Sequence, residues 1–261
     1  SGELNRMLGD AYYKLGQYKE ATPYLIKAAE QEGADVQDYY LLGFSLMEEK
    51  DFKQAKTYLA KAIEKKDSLA QNALYHLGIC CIETNDKSNA KAMFKEASEM
   101  DFDMTIKEKA LLNYAKVACE TSSAYNEPLK AFQTFTEQFP NSDKANEAKE
   151  YLAQLYGEMK NYRDAIEMIE QMSERNLSVN KAYQRLCLNR AIELFNENRT
   201  DDALIYLDKS LTQTHDNSLT AAAYYLKAEA YHQMGEYELS IKNLNTFYSV
   251  PGADKSQFDS Q

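Results

Sequence analysis

The sequence predicts an all-α fold, an α-solenoid of about seven helix-turn-helix repeats. Three observations point there. A pattern of small and large residues recurs every 34 to 38 positions. Each recurrence carries two runs of helical periodicity, with apolar residues at i, i+3, i+4 and i+7. Turn-formers are scarce: Gly (9) and Pro (4) make up about 5% of 261 residues, against about 12% in average proteins. A sandwich or barrel of many short strands needs more tight turns than that.

The repeats follow one another through the chain. The first (2–35) has Leu8, Gly9 and Tyr12 on one helical face, a polar turn KLGQ at 14–17, then Tyr18, Ala21, Leu25 and Ala28 on a second. The second (36–70) repeats these offsets with Leu42, Gly43, Leu46, Phe52, Ala55, Leu59 and Ala62. In the third (71–107) they are Leu77, Gly78, Cys81, Ala90, Phe94 and Ala97. The fourth (108–145) centres on Ala115, Ala118, Pro128, Phe132 and Phe135 and ends near Pro140. The fifth (146–183) has Ala153, Tyr156, Tyr162, Ala165 and Ile169, and the sixth (184–220) Ala191, Leu194, Ala203, Leu207 and Ser210. The seventh (221–254) has Ala228, Tyr231, Gly235, Tyr237, Ser240, Leu244 and Phe247. Together they read as a single array over 3–254 with a tail at 255–261. The small anchors step by 34, 35, 37, 38, 38 and 37 residues, which reads as connections lengthened by three or four residues in the later repeats.

The physics of one repeat is simple. A linker as short as KLGQ permits only an antiparallel return. Small residues at the anchors let two backbones approach, and aromatics fill the flanks. One hairpin cannot bury both of its faces, so neighbouring copies must stack.

Composition and motifs exclude several functions. The net charge is −11, which repels phosphate and argues against nucleic acid as a partner. No window approaches 18 uninterrupted apolar residues, so no membrane insertion is expected. Cys80, Cys81, Cys119 and Cys187 lie in helical apolar patterns without CxxC or metal-ligand spacing, and read as buried packing residues. His76, His215 and His232 are far apart and read as structural or surface histidines. No HExxH, P-loop, GxGxxG or GxSxG is present. The expectation is therefore no enzyme, no catalytic residue, no cofactor and no metal. The opening Ser1-Gly2, in place of Met, reads as a piece of a longer chain.

The pattern resembles the tetratricopeptide-repeat family. The match is Leu8-Gly9, Tyr12, Gly16, Tyr18, Ala21, Leu25 and Ala28 in the first copy, with comparable sets in the other six. The resemblance implies a right-handed superhelix whose inner wall is lined by the first helix of each pair, with a protein or peptide partner held in the concave groove. The inner-wall positions place Arg6, Tyr13, Tyr40, Phe44, Met47, Tyr75 and Ile79 there as partner-binding residues, beside Asp10 and Ile82. In later copies the wall turns polar: Lys109, Lys116, Glu150, Gln154, Arg185, Asn189, Tyr225, Glu229 and His232. The chaperone-tail subfamily uses a Lys and Asn clamp for a terminal carboxylate. The matching positions here are Arg6, Asp10, Leu41, Asn72 and His76, and the pattern fails at Asp10 and Leu41. No Trp stands at the fourth position of any copy. The stretch 131–166 resembles a bacterial variant common in cell-envelope scaffolds, which favours a periplasmic or envelope source over a cytoplasmic one. The functional expectation is a non-enzymatic interaction scaffold. The alternative is a structural spacer, or a module that forms homo-oligomers through an uncapped C-terminal end.

Overall fold

The computed structural model describes residues 2–253, so Ser1 and the expected tail 255–261 lie outside the described residues. Among these the chain forms fourteen α-helices and no strand. It divides after Pro140 into two compact units. The first unit holds four hairpins: α1 (Gly2–Lys14) with α2 (Tyr18–Ala29), α3 (Val36–Glu48) with α4 (Phe52–Lys61), α5 (Ser68–Glu83) with α6 (Lys87–Ser98), and α7 (Met104–Thr121) with α8 (Asn126–Gln138). The second holds three: α9 (Ala145–Glu158) with α10 (Tyr162–Glu170), α11 (Leu177–Asn196) with α12 (Thr200–Leu211), and α13 (Asn217–Gln233) with α14 (Tyr237–Ser249). Within each unit every helix packs on the next in sequence. Each unit is thus an all-helical stack of repeats. No helix among the described residues is long and apolar enough to cross a membrane.

The hairpins close on their small anchors. A Cβ placed on Gly43 would lie 2.9 Å from the Leu59 backbone nitrogen, and one on Gly9 or Gly78 would overlap Leu25 or Phe94. Ala115, Ala153, Ala191 and Ala228 stand at the same position in the later repeats and are buried. Six of the seven turns share one geometry. Gly16, Lys50, Asn85, Lys160, Asn198 and Gly235 all take positive φ. The following amide then reaches back to the helix, as in Gln17 N–H to Tyr12 O and Asp51 N–H to Leu46 O, both 2.9 Å. This double backbone closure satisfies carbonyls that the helix end would otherwise leave bare. Repeat four replaces it with side chains. Glu127 accepts from Tyr114 Oη and Lys91 Nζ, both at 3.0 Å, and from Ser122 Oγ. Those donors hold its carboxyl at about 2, the hydrogen bond from Ser122 most strongly.

The spacing between repeats has a different origin from the one expected. Links between hairpins stay short throughout, and the extra residues lie in the first helices: α1 and α3 have 13 residues, α7 has 18 and α11 has 20. Helices α5, α7, α11 and α13 accordingly begin at Ser68, Met104, Leu177 and Asn217, ahead of the expected repeat starts at 71, 108, 184 and 221. The cause is capping. The side chains of Asp67, Asp103, Asn176 and Asp216 accept from the exposed amides of the first turns, and Asp35 does the same for α3. Such caps are worth about 1 kcal/mol each and fix where a helix starts.

Buried amides tie one repeat to the next. Gln71 is fully buried. Its Nε2 donates to the Met100 carbonyl at 2.8 Å and its Oε1 accepts from Asp103 N–H at 2.7 Å. Gln184 repeats the arrangement on Asp216, accepting from its N–H and donating to its carbonyl, both at 3.1 Å. The half-buried Asn146 makes a related link, donating to Ser173 Oγ at 2.9 Å and accepting from Ser173 N–H at 3.3 Å.

Gly43→Ala tests the close approach. Alanine gains about 1 kcal/mol of helix propensity, yet its methyl group must push α4 away. We expect a net loss of ~1–3 kcal/mol in urea unfolding, with hydrogen-exchange protection falling in α3–α6 and unchanged in α11–α14.

Candidate functional site

The first helices of the first unit lie side by side, α1 on α3, α3 on α5 and α5 on α7. This brings the expected aromatic residues together. The Phe44 ring stands 5.5 Å from Tyr13, 6.2 Å from Tyr40 and 4.8 Å edge-on from His76, between ring centroids. Tyr75 adds a contact with His76 at 5.3 Å, and Tyr18, from the second helix of its hairpin, reaches Phe44 at 5.6 Å. Tyr40 Oη and His76 Nδ1 share a hydrogen bond of 3.3 Å. Burial pushes the Tyr13 phenol up to about 12 and raises Tyr40 further. The same burial pulls His76 down to about 4.

The seven expected partner-binding residues have three different settings. Tyr13, Tyr40, Phe44, Tyr75 and Ile79 are half-buried and pack on the hydrophobic core behind them. Met47 is only 9% exposed and belongs to that core. Arg6 is drawn aside: its guanidinium binds Asp38 through Nε and Nη2 at 2.9 and 2.6 Å, and Nη2 donates to the Gly33 carbonyl at 2.8 Å. Asp38 is itself buried and closes the capping box of α3. Arg6 therefore ties the first hairpin to the second. Of the strip, only Ile82 is an exposed large apolar side chain, at 37%.

The second unit differs. Here α11 packs directly on α13, while a cleft of about 520 Å³ opens between α9 and α11. Four of the polar inner-wall residues line it: Glu150 and Gln154 from α9, Arg185 and Asn189 from α11. Ala153, Ile169, Val179 and Leu186 supply apolar lining. Gly157 lets Leu186 close down, since a Cβ there would stand 3.1 Å from Leu186 Cδ2. Gln154 Nε2 donates to Glu158 Oε1 at 3.0 Å. Lys181 lies one turn before Arg185 and joins it at the cleft. Among the described residues neither cation is held by a carboxylate. The repeat positions did not mark Lys181, although its i, i+4 relation to Arg185 was a usable signal.

Reactive groups are muted. Cys80, Cys81 and Cys187 are buried, and burial pushes the Cys80 and Cys187 thiols up to about 12. No group of three His, Cys, Asp or Glu among the described residues is arranged to hold a metal ion.

Comparison with known proteins agrees with this geometry. A family model described as tetratricopeptide repeat matches residues 4–35, 39–64, 71–104 and 221–250. No curated protein matches the chain. Among solved structures, YrrB, "a TPR protein with an unusual peptide-binding site", aligns at 20% identity and TM-score 0.52, covering 62% of this chain and 79% of its own. The TPR2AB domain of yeast Sti1, in complex with pHSP90, aligns at 16% identity and TM-score 0.54, covering 96% and 91%. A tetratricopeptide repeat protein from Parabacteroides merdae aligns at 16% identity and TM-score 0.50, covering 96% and 93%. At these identities the likeness is one of fold.

His76 makes the ring cluster sensitive to acid. Its folded value lies below the usual 6.5, so its stabilisation is full above pH 6.5 and is lost as pH falls through about 4. We expect the first unit to lose on the order of 2 kcal/mol across that window, and His76→Phe to flatten the loss in urea titrations at pH 4, 5 and 6.5.

Proposed function

Because the chain belongs to the tetratricopeptide-repeat family, we propose that it is a non-enzymatic scaffold that holds a segment of another protein against its first helices, in the cleft between α9 and α11. The cleft carries this reading. It has the volume for several side chains, an apolar lining, and two cations, Lys181 and Arg185, without a carboxylate partner. Such a site suits a segment with an apolar anchor and an acidic residue beside it. The peptide-binding site of YrrB and the pHSP90 complex of Sti1 support a role of this kind. With a net charge of −11, nucleic acid is a poor candidate partner.

A second reading puts the segment on the strip of Arg6, Tyr13, Tyr40, Phe44, Met47, Tyr75 and Ile79. The observation in its favour is that the rings are already fixed against one another. A partner could then stack on their open edges with little ordering cost.

One experiment separates the two. Peptides selected from a displayed random library against the whole chain are titrated against two double variants. The cleft reading expects Lys181→Glu with Arg185→Glu to weaken binding about tenfold, or ~1.4 kcal/mol, with Tyr40→Ala and Phe44→Ala near neutral. The opposite order selects the strip. Unchanged binding in both variants removes the first-helix face from consideration.

A further inference from the structure

Four charged side chains face one another across the cleft between α9 and α11 without pairing. Glu150 and Glu158 project from α9, Lys181 and Arg185 from α11. Among the described residues the side chains of Glu150, Lys181 and Arg185 form no ion pair or hydrogen bond, and Glu158 accepts only from Gln154 of its own helix. Elsewhere opposite charges of neighbouring hairpins close on each other: Lys56 on Asp86 at 2.9 Å, Lys91 on Glu127 at 3.0 Å and Lys209 on Glu170 at 2.8 Å. The open seam keeps its walls apart, so the α9 wall stays acidic and the α11 wall basic.

One contact sets the order of these charges along the cleft. Helices α9 and α11 both pack on the intervening α10 and run the same way, as alternate members of antiparallel hairpins. Gly157 of α9 lies beside Leu186 of α11. Counting from that pair at about 1.5 Å per residue puts Glu150 about 3 Å before Lys181, Arg185 about 6 Å after Lys181, and Glu158 about 3 Å beyond Arg185. The cations therefore lie between the two carboxylates along the axis, on the opposite wall. Between its glutamates the α9 wall falls back to the small Ala153 and Gly157.

An extended chain matches this order. Its side chains alternate between two sides about every 3.3 Å, so residues two apart meet the same wall about 6.6 Å apart. Volume points the same way. Over the ~12 Å from Glu150 to Glu158 a helix of ~10 Å diameter fills roughly 900 Å³. An extended segment, ~4.8 Å by ~10 Å in section, fills roughly 600 Å³ over that length. The cleft holds about 520 Å³, close to the second.

We infer that the cleft reads an extended five-residue segment in the order basic, acidic, apolar, acidic, basic. The two acidic side chains face Lys181 and Arg185, the outer basic ones face Glu150 and Glu158, and the apolar one fills the recess at Ala153 and Gly157. This rests on the cleft being the binding site and goes beyond it: the partner carries both signs, where the two cations alone call only for acid. The order is the same from either end, so what is read is the alternation and not the direction. A segment with the signs exchanged sets like charges together at all four places, and such repulsion confers specificity as much as attraction does.

The test follows the anisotropy of fluorescein-labelled peptides titrated with the whole chain. Two peptides share one composition and zero net charge, with Gly-Ser flanks around Lys-Glu-Leu-Glu-Lys or around Glu-Lys-Leu-Lys-Glu. The first should bind about tenfold more tightly than the second, and about tenfold more tightly than a third in which both lysines are alanine. In the exchanged variant, Glu150→Lys with Glu158→Lys, Lys181→Glu and Arg185→Glu, the preference between the first two should reverse. None of the four side chains is buried, and far-UV circular dichroism confirms that the variant keeps its helices. Equal affinity for the first two peptides overturns the inference, as does a lysine-free peptide that binds as tightly as the first; in both cases the cleft remains a site for acidic segments. Failure of all three peptides at about 1 mM also overturns it. The library-selected peptides and the Lys181→Glu with Arg185→Glu variant then decide separately whether the cleft binds a partner at all.

Discussion

Everything in this structure depends on how closely two antiparallel helices approach at one small residue. At Gly43 the second helix comes near enough for its backbone nitrogen to exclude even a methyl group. That approach places Leu59 at full burial beneath the first helix. It also sets the breadth of the hairpin, and so which side chains reach the neighbouring repeat. Where alanine takes the anchor, as at Ala153 and Ala191, the opposite residues Ile169 and Leu207 are of the same size as Leu59 and are equally buried.

The periodicity alone revealed the hairpins, their order and their anchors, since those follow from spacing along a single helix. It did not reveal where the first helices begin. The anchors fix the middle of each hairpin, while the start is decided by whichever Asp or Asn can accept the first amides, at a distance from the anchor that varies from repeat to repeat. Asp67, Asp103 and Asp216 were visible as cap residues. Their positions assign the additional residues to helices α5, α7 and α13 rather than to loops. The division after Pro140 was not legible, because it reflects how densely hairpins pack in space.

The polar junctions were invisible for another reason. Gln71 and Gln184 sit on otherwise ordinary helical faces, and their partners are loop backbone groups about one repeat further on. Nothing local announces such a bond. Their burial would be costly if unmatched, on the order of 1–3 kcal/mol for each bare group. Matched on both ends, they hold the register between hairpins that apolar stacking alone leaves loose. Arg6 shows the same logic with a charge. The spacing assigned it to a ligand, but the buried Asp38 carboxylate at the start of α3 claims it.

The two units treat their first-helix faces in opposite ways. In the first, aromatic side chains from α1, α3 and α5 meet across the seams between helices and fill them. Spacing places Tyr13, Tyr40 and Phe44 on one face, yet the depth to which they sink depends on the distance between neighbouring first helices, which no single helix encodes. In the second, Gln154, Arg185 and Asn189 hold corresponding parts of the wall, and polar side chains of that kind do not fill a seam as rings do, so a cleft remains between α9 and α11. The consequences for binding differ in kind. A filled seam offers fixed ring edges, little volume and almost no ordering cost. An open seam offers volume and bare charge, but the long side chains of Lys181 and Arg185 must be ordered, at about 0.5–1.5 kcal/mol each. That cost is modest beside what a desolvated carboxylate would gain from two cations, which is the physical ground for proposing the open seam rather than the filled one.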